Sequence, residues 1–469
     1  MTGTAGTAGT AAGAAFAAAL PAGRWSRDDA VVDAHRLDRS GWRPPGRPLG
    51  VAFADGVDDV RAVLRTALAA GTPVTVRGAG TGLAGGAAAP DGAVILDVSG
   101  MNRIRELSVP DAVAVVEPGV ITDDLDRAAR EVGLSYSPDP ASSAISTIGG
   151  NIATNAGGLR CAKYGVTRES VLGLDVVLAD GELVSTGRRT VKGVAGYDLT
   201  GLFVGSEGTL GVVVGATLRL RPAPRRTVTL AAFFDSFGAA VDAVTAIMAT
   251  GIVVAMAELL DGPTVRAVDA ATGGGLAAAG QALLLVQTDG AGADDEADAV
   301  EAVLRGRARA VRRAADPAAA AELLAARRAA LPALERIGRV LIEDIAVPRS
   351  QLARAAARIT EISAATGVRI FTIAHAADGN LHPIIVVDGS DGTGSDGAAD
   401  EIPADAWKAA DLLFQTALDL GGTVTGEHGI GALKRRWLGA ELGTANHSLQ
   451  QRLRRLFDPT GILSPDRGL

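Results

Sequence analysis

Apolar residues recur every three to four positions in "VDDVRAVLRTALAAG" (Val57–Gly71), the spacing of one helix face. Gly71 stands where such a helix stops. A short apolar strand, Val74–Val76, follows and opens into a glycine-rich loop. "AVILDVS" (Ala93–Ser99) is a further strand after a Pro-Asp-Gly turn, and "AVAVVEPGV" (Ala112–Val120) is a third. Val171–Gly187 reads as strand, Asp-Gly turn, strand, and Gly205, Gly208 and Gly211 precede a long strand ending near Pro222. Helix and strand alternate, so the fold is mixed α and β.

From about Arg225 the pattern changes. Thr227–Gly251 predicts a strand then a helix, Ala282–Gly290 a strand, and Asp294–Val311 an amphipathic helix. Glu322–Arg336 is helical up to Pro332, where proline removes a donor. Val340–Leu352 is a strand with a turn at Pro348, and Arg349–Gly367 a helix. "RIFTIAHA" (Arg369–Ala376) and "LHPIIVV" (Leu381–Val387) are two strands flanking "ADGN". These β-α-β units carry no phosphate loop.

The chain has 469 residues, 48% of them hydrophobic, enough for a large core and for two or three domains. A net charge of −8 excludes nucleic acid as a natural partner. Cys161 is the single cysteine. It permits no disulfide framework, cysteine metal site or iron–sulfur cluster within one chain, which suits a reducing cytoplasm. The first twenty residues are a Gly/Thr/Ala repeat with no lysine or arginine before Arg24. They make a poor signal peptide and predict a disordered or fraying tail over residues 1–30. No apolar run of about 18 residues predicts a membrane span. Asp388–Pro403 has the composition of a mobile surface loop.

Gly80, Gly82 and Gly85 match the spacing of a dinucleotide fingerprint. That motif must open into a helix, yet Gly86 leads through three alanines and Pro90-Asp91-Gly92 into a strand. A Rossmann fold is excluded. Two readings remain at this point: a plain glycine-rich turn, or main-chain N–H groups at Gly78, Gly80 and Gly82 open to a phosphate, with Arg77 adding charge. Pro138–Gly187 carries a second rich stretch, with Ser142, Ser143, Ser146 and Thr147 before Gly149-Gly150-Asn151, then Asn155, Gly157 and Gly158. Such residues let backbone approach a large polar ligand.

Two of the chain's five histidines, His375 and His382, flank the "ADGN" turn. "TGEHGIGALKRRWL" adds Glu427 beside His428. Two imidazoles and a carboxylate suit a divalent metal with open positions; two core histidines and a surface Glu-His pair is the other reading of the spacing.

"RGAGTGLAGG", "STIGGNIATNAGG", "KYGVTRESVLGLDVVLADGE" and "GLFVGSEGTLGVV" together resemble the FAD domain of the vanillyl-alcohol oxidase/p-cresol methylhydroxylase superfamily. The closer likeness is to its D-2-hydroxyacid dehydrogenase branch, which includes D-lactate dehydrogenase, the glycolate oxidase flavin subunit and D-2-hydroxyglutarate dehydrogenase. The resemblance implies an α+β protein: a two-part FAD-binding domain over 31–222, then a ferredoxin-like cap with an antiparallel sheet over 223–469, whose C-terminal segment returns to the flavin. It implies FAD bound by Arg77, Gly78, Ala79, Gly80, Thr81, Gly82 and Leu83 at the pyrophosphate, and by Pro138, Ser142 and Ser143 near the isoalloxazine. Thr147, Ile148, Gly149, Gly150, Asn151, Asn155, Gly157 and Gly158 would line the dinucleotide, and Glu207, Gly208 and on to Val213 the adenine end. No histidine lies between His35 and His375, so the FAD is expected to be non-covalent; Cys161 reads as a small buried residue. The branch motifs place metal ligands on His375, His382 and Glu427, for Zn²⁺, Mn²⁺ or Fe²⁺, with Ala377 where the branch has glycine. His428 is implied as the base for the substrate hydroxyl, with hydride passing to flavin N5. Arg327 is implied at the substrate carboxylate, with Arg328 as second choice.

Departures narrow the substrate. Ile384 stands where the hydroxyglutarate enzymes carry Asn, and "LIED" replaces a lysine-bearing segment. Both point away from a dicarboxylate, toward D-lactate, glycolate or a longer aliphatic 2-hydroxy acid. Ser464 replaces a C-terminal Asn. The alternatives are a glycolate oxidase flavin subunit serving as electron relay or scaffold, and an alkyl-dihydroxyacetone-phosphate synthase-like enzyme. The expected acceptor is oxygen, a quinone, a cytochrome or a partner protein; the candidate assembly is a homodimer, in the cytoplasm or at a membrane periphery.

Overall fold

The computed structural model describes residues 4–387 and 402–469. The loop expected at Asp388–Pro403 falls, apart from Ile402 and Pro403, outside the described residues. The chain divides into two compact units. The first comprises Met1–Gly158, Gly165–Ala223 and Glu427–Leu469, the second Leu159–Tyr164 and Pro224–Gly426.

The first unit holds two main sheets. In one, the strands Gly50–Phe53, Val94–Asp97 and Val74–Arg77 lie side by side and parallel, and Trp25–Ser26 adds an antiparallel edge. Helix Val57–Ala70 packs Val60, Val63, Leu64 and Ala67 on this sheet and stops at Gly71, whose φ of 60° is left-handed. The second sheet is antiparallel, in the order Ile104–Ser108, Val113–Val116, Val212–Arg219, Val171–Val177, Leu183–Gly187. Helices Thr122–Glu131 and Ile148–Thr154 bury Leu125, Ala129, Ile148 and Ile152 in its core.

One expectation for this unit is corrected. The N-terminal stretch is not a fraying tail: Thr4–Ala19 is a helix, Phe16 is fully buried, and its ring stacks on Trp25 at 5.2 Å. Phe16 and Leu20 supply the apolar burial that the Gly/Thr/Ala repeat lacks. The C-terminal segment Glu427–Leu469 packs within this unit. Val74 donates its N–H to the Ile462 carbonyl at 2.7 Å and accepts from Ser464 N at 2.8 Å, so the segment covers the free edge of Val74–Arg77. Arg467, 1% exposed, donates to the Ala88 carbonyl and lies 5.1 Å over the Trp42 ring.

The second unit is built on an eight-stranded antiparallel sheet. Its order is Ala310–Arg313, Thr227–Phe234, Ala282–Asp289, Met256–Leu260, Arg369–His375, Asn380–Val387, Arg339–Ile342, with Ile345–Ala346 also pairing Asn380–Val387. Helix Pro317–Glu335 covers one face and lowers Ala326, Ala330, Ala333 and Leu334 onto Phe371, Ile373, Ile384 and Val386. It runs past Pro332, where the sequence predicts a stop. Pro332 stands one turn from the end, so the missing N–H removes a single helical bond. The strand expected across Val340–Leu352 is broken at Glu343-Asp344, which turns Asp344 inward to zero exposure. Among the described residues, no helix is long and apolar enough to cross a membrane.

Candidate functional site

In the first unit the two glycine-rich stretches meet. Strand Val74–Arg77 delivers the loop Arg77–Leu83, and a Cβ at Gly78 would strike Thr147 Oγ1. Gly80 sits at a φ of +68°, and a Cβ there would strike the Arg77 guanidinium. Gly149 passes Pro118 so closely that a Cβ would lie 2.6 Å from Pro118 Cβ. A cavity of about 530 Å³ opens beside this junction. Ala79 and Thr147 line it, with Ser99, Asn102, Gly119 and Arg127. Those last four escaped the sequence reading; the available signal was the Pro118-Gly119 pair closing a strand, since a Cβ at Gly119 would strike the Ser99 carbonyl. Glycine-only backbone beside a cavity of this size fits a dinucleotide.

The other expected cofactor residues take varied places. Arg77 points into the protein, donating Nη1 to the Leu37 carbonyl at 2.6 Å. Burial lowers its pKa, and Asp97 and Asp38 oppose the shift. Thr147 caps helix Ile148–Thr154 by accepting from Gly150 N, and Asn151 Nδ2 donates to Thr122 Oγ1 at 2.7 Å. Asn155 ends that helix in the left-handed region and accepts from Arg168 N at 2.9 Å. Ser142 anchors a turn through its carbonyl, which accepts from Ser146 N at 2.7 Å. A Cβ at Gly158 would strike the Asp139 carbonyl. Val213 lies in the strand Val212–Arg219.

Glu207 has side-chain partners within its own unit. Its carboxylate accepts from Ile430 N at 2.8 Å and Gly431 N at 2.7 Å, so it braces the loop that follows His428. Burial raises its pKa, and the two N–H groups, Arg467 and Lys434 pull it back. At the start of that loop, His428 Nε2 lies 3.8 Å from Glu427 Oε1.

In the second unit a buried polar cluster lies on one face of the sheet. Strands Arg369–His375 and Asn380–Val387 form the expected hairpin, with His375 opposite Asn380 and Ile373 opposite His382. The two histidines are therefore diagonal neighbours on one face. Their rings are edge to face, with centroids 5.0 Å apart, and both are buried. Each has a carboxylate that the sequence reading missed. Glu258 is opposite His375 in the next strand, and its Oε1 lies 2.5 Å from His375 Nδ1. Its Oε2 accepts from Arg327 Nε at 2.6 Å. Burial raises the Glu258 pKa, and His375 and Arg327 more than reverse this, so the carboxyl sits below its usual range. Asp344 Oδ1 lies 3.9 Å from His382 Nδ1, and Asp344 accepts from Asn380 Nδ2 at 2.7 Å and Thr425 Oγ1 at 2.8 Å. A Cβ at Gly426 would strike Asn380 Nδ2. Glu427 is the next residue in the chain. Two buried imidazoles with carboxylates behind them are a donor set that fits a divalent metal. Arg328 takes another place, donating to the Ala321 carbonyl of its own helix at 2.8 Å.

Comparison with known proteins gives a consistent answer. Residues 48–187 match an FAD binding domain, and residues 223–467 match the C-terminal domain of FAD linked oxidases. The chain is 41% identical to the glycolate oxidase subunit GlcD of Bacillus subtilis (strain 168), over 90% of this chain and 88% of that protein. It is 34% identical to the mitochondrial cytochrome D-lactate dehydrogenase of Arabidopsis thaliana, over 89% and 72%. Substrate-bound p-cresol methylhydroxylase shares the fold, with a TM-score of 0.78 at 19% identity over 98% of this chain and 96% of that one. With both domain matches in sequence order and the relatives aligned along most of their length, the chain belongs to the FAD-linked oxidases, a family of flavoprotein oxidoreductases.

Proposed function

We propose that the protein oxidises a small D-2-hydroxy acid, of the D-lactate or glycolate class, to the 2-oxo acid. The observation that carries this reading is the buried cluster of His375, His382, Glu258 and Arg327 on one face of the sheet. It is supported by relatives named for glycolate and D-lactate. When bound, FAD supplies the acceptor for the Cα hydrogen and its electron pair, and a divalent cation supplies the charge that acidifies the α-hydroxyl.

The chain's own residues do the rest. Arg77–Leu83 and the stretch from Pro138 to Gly158 hold the dinucleotide; His375, His382 and Glu427 hold the cation. Arg327 uses Nε on Glu258, and its two terminal nitrogens form the fork that fits a carboxylate. His428 accepts the hydroxyl proton at a ring nitrogen. Electrons then leave for an outside acceptor. The FAD is non-covalent in this reading, since no histidine lies between His35 and His375. Acid precipitation is therefore expected to release all the FAD into the supernatant; yellow colour left in the pellet would count against this.

The substrate is small. Ile384 is buried two residues from His382 on the same face, and Asp344 stands behind His382. A second substrate carboxylate would meet apolar surface and negative charge, and burying it unpaired costs several kcal/mol. D-Lactate or D-2-hydroxybutyrate is expected to reduce the flavin at least about tenfold faster than D-2-hydroxyglutarate, since about 1.4 kcal/mol gives that ratio. An anaerobic panel of D- and L-2-hydroxy acids, read by flavin absorbance, checks this. D-2-Hydroxyglutarate ranking first would reverse the pocket assignment. A second reading, an electron relay within a larger assembly, is favoured by a relative named as a subunit. No bleaching by any acid of the panel would select it.

A further inference from the structure

We propose that Glu258 is a positioning residue that holds His375 and Arg327 in one fixed arrangement, so that cation affinity and substrate-carboxylate affinity rise and fall together. This rests on the hydroxy-acid reading above.

Glu258 is the one acid in the row Met256, Glu258, Leu260, whose other members lie in the apolar core beneath helix Pro317–Glu335. It has zero exposure. A carboxylate in such a place is costly unless both oxygens are paired. Here each oxygen has one charge-capable partner: Oε1 with His375 Nδ1 at 2.5 Å, Oε2 with Arg327 Nε at 2.6 Å. The first contact follows from register, because Glu258 and His375 are direct cross-strand partners. The second reaches up to a helix that comes close because its buried positions are mostly alanine.

Two consequences follow from the pairing. Nδ1 of His375 faces the Glu258 carboxylate, which favours a proton on Nδ1 and makes Nε2 the nitrogen with acceptor character. Arg327 is gripped by Nε, which fixes the plane of its guanidinium and the direction of its two terminal nitrogens. One carboxylate thus sets the tautomer of a ligand and the aim of a carboxylate clamp. A residue kept only for stability would do neither.

The test uses the FAD-loaded full chain. Glu258→Gln keeps the shape but presents one oxygen and one amide to two donors. Its affinity for Zn²⁺, measured against a competing chelator, is expected to fall about 10–100-fold, the usual effect of losing a partner behind a ligand. KM for D-lactate is expected to rise in the same variant, with FAD content unchanged. Glu258→Asp, which keeps the buried charge, serves where the glutamine variant does not fold, and should move both readouts in the same direction. A third measurement needs no variant at Glu258: the imidazole nitrogens of the wild-type protein, labelled at its five histidines and read by NMR before Zn²⁺ is added, should show the His375 proton on Nδ1. Wild-type Zn²⁺ affinity in both Glu258 variants, or a change in Zn²⁺ affinity with KM for D-lactate unmoved, overturns the proposal. So does a His375 proton found on Nε2. His375→Ala separates the layers. If it loses Zn²⁺ while the Glu258 variants do not, the metal reading stands and the role of Glu258 falls. If His375→Ala binds Zn²⁺ like the wild type, the metal reading fails and takes this inference with it.

Discussion

Glu427→Ala protein is expected to purify yellow but poor in metal. His375 and His382 are placed by the register of their hairpin, and that register owes nothing to Glu427. What the substitution removes is the only negative charge in the proposed ligand set. Two neutral imidazoles alone hold a dication far more weakly than two imidazoles and a carboxylate. Loss of a partner behind a ligand already costs 10–100-fold, so loss of a ligand should lower turnover by more than about 100-fold. Added Zn²⁺ or Mn²⁺ should restore part of it, because the histidines remain in place. Metal analysis after dialysis, with FAD absorbance as the internal standard, decides the matter. A variant that keeps stoichiometric metal would remove Glu427 from the set and direct attention to Asp344, 3.9 Å from His382.

The hairpin behind this expectation was legible because its signals are local. An Asp-Gly-Asn turn between two β-branched runs predicts a hairpin, and a hairpin dictates which residues share a face. The two histidines follow from that alone. Glu258 was not legible for the converse reason. It is one acid in "AMAELLDG", and nothing local says that the strand lies against Arg369–His375. Only the pairing of strands more than a hundred residues apart turns an odd acid into the partner of His375. Arg327 was found through resemblance, and its Nε contact became visible only with the strand order.

The glycine-rich stretches divide in the same way. That Gly78 and Gly80 needed the absence of a side chain was readable; that Thr147 and Arg77 are what a side chain would strike was not. Glu207 was placed near the cofactor from its motif; that its carboxylate holds Ile430 and Gly431, over two hundred residues away, was not readable. The return of Glu427–Leu469 to the first unit has the same origin. A C-terminal return was implied by resemblance alone; no local pattern says that Ile462–Ser464 close the open edge of strand Val74–Arg77. At the N-terminus the composition misled, because two large side chains, Phe16 and Leu20, outweigh a repeat of small ones.

His428→Ala should fail differently from Glu427→Ala, although the two residues are adjacent. The loop that begins with them is braced by Glu207 through Ile430 and Gly431, and this brace involves no side chain of His428. The variant is therefore expected to retain its fold, its FAD and its metal. What it lacks, on the proposed mechanism, is the acceptor for the hydroxyl proton. Losing a general base typically slows the step it serves by about 10²–10⁴-fold. That corresponds to roughly 3–5 kcal/mol of barrier at about 1.4 kcal/mol per decade. The slowing should appear in flavin reduction by D-lactate, followed by anaerobic stopped flow, and not in reoxidation, which involves no hydroxyl proton. Metal analysis of both variants assigns the roles. If His428→Ala loses metal while Glu427→Ala keeps it, ligand and base are exchanged. If both reduce at near-normal rates with metal bound, the proton is taken elsewhere and Glu427 leaves the ligand set.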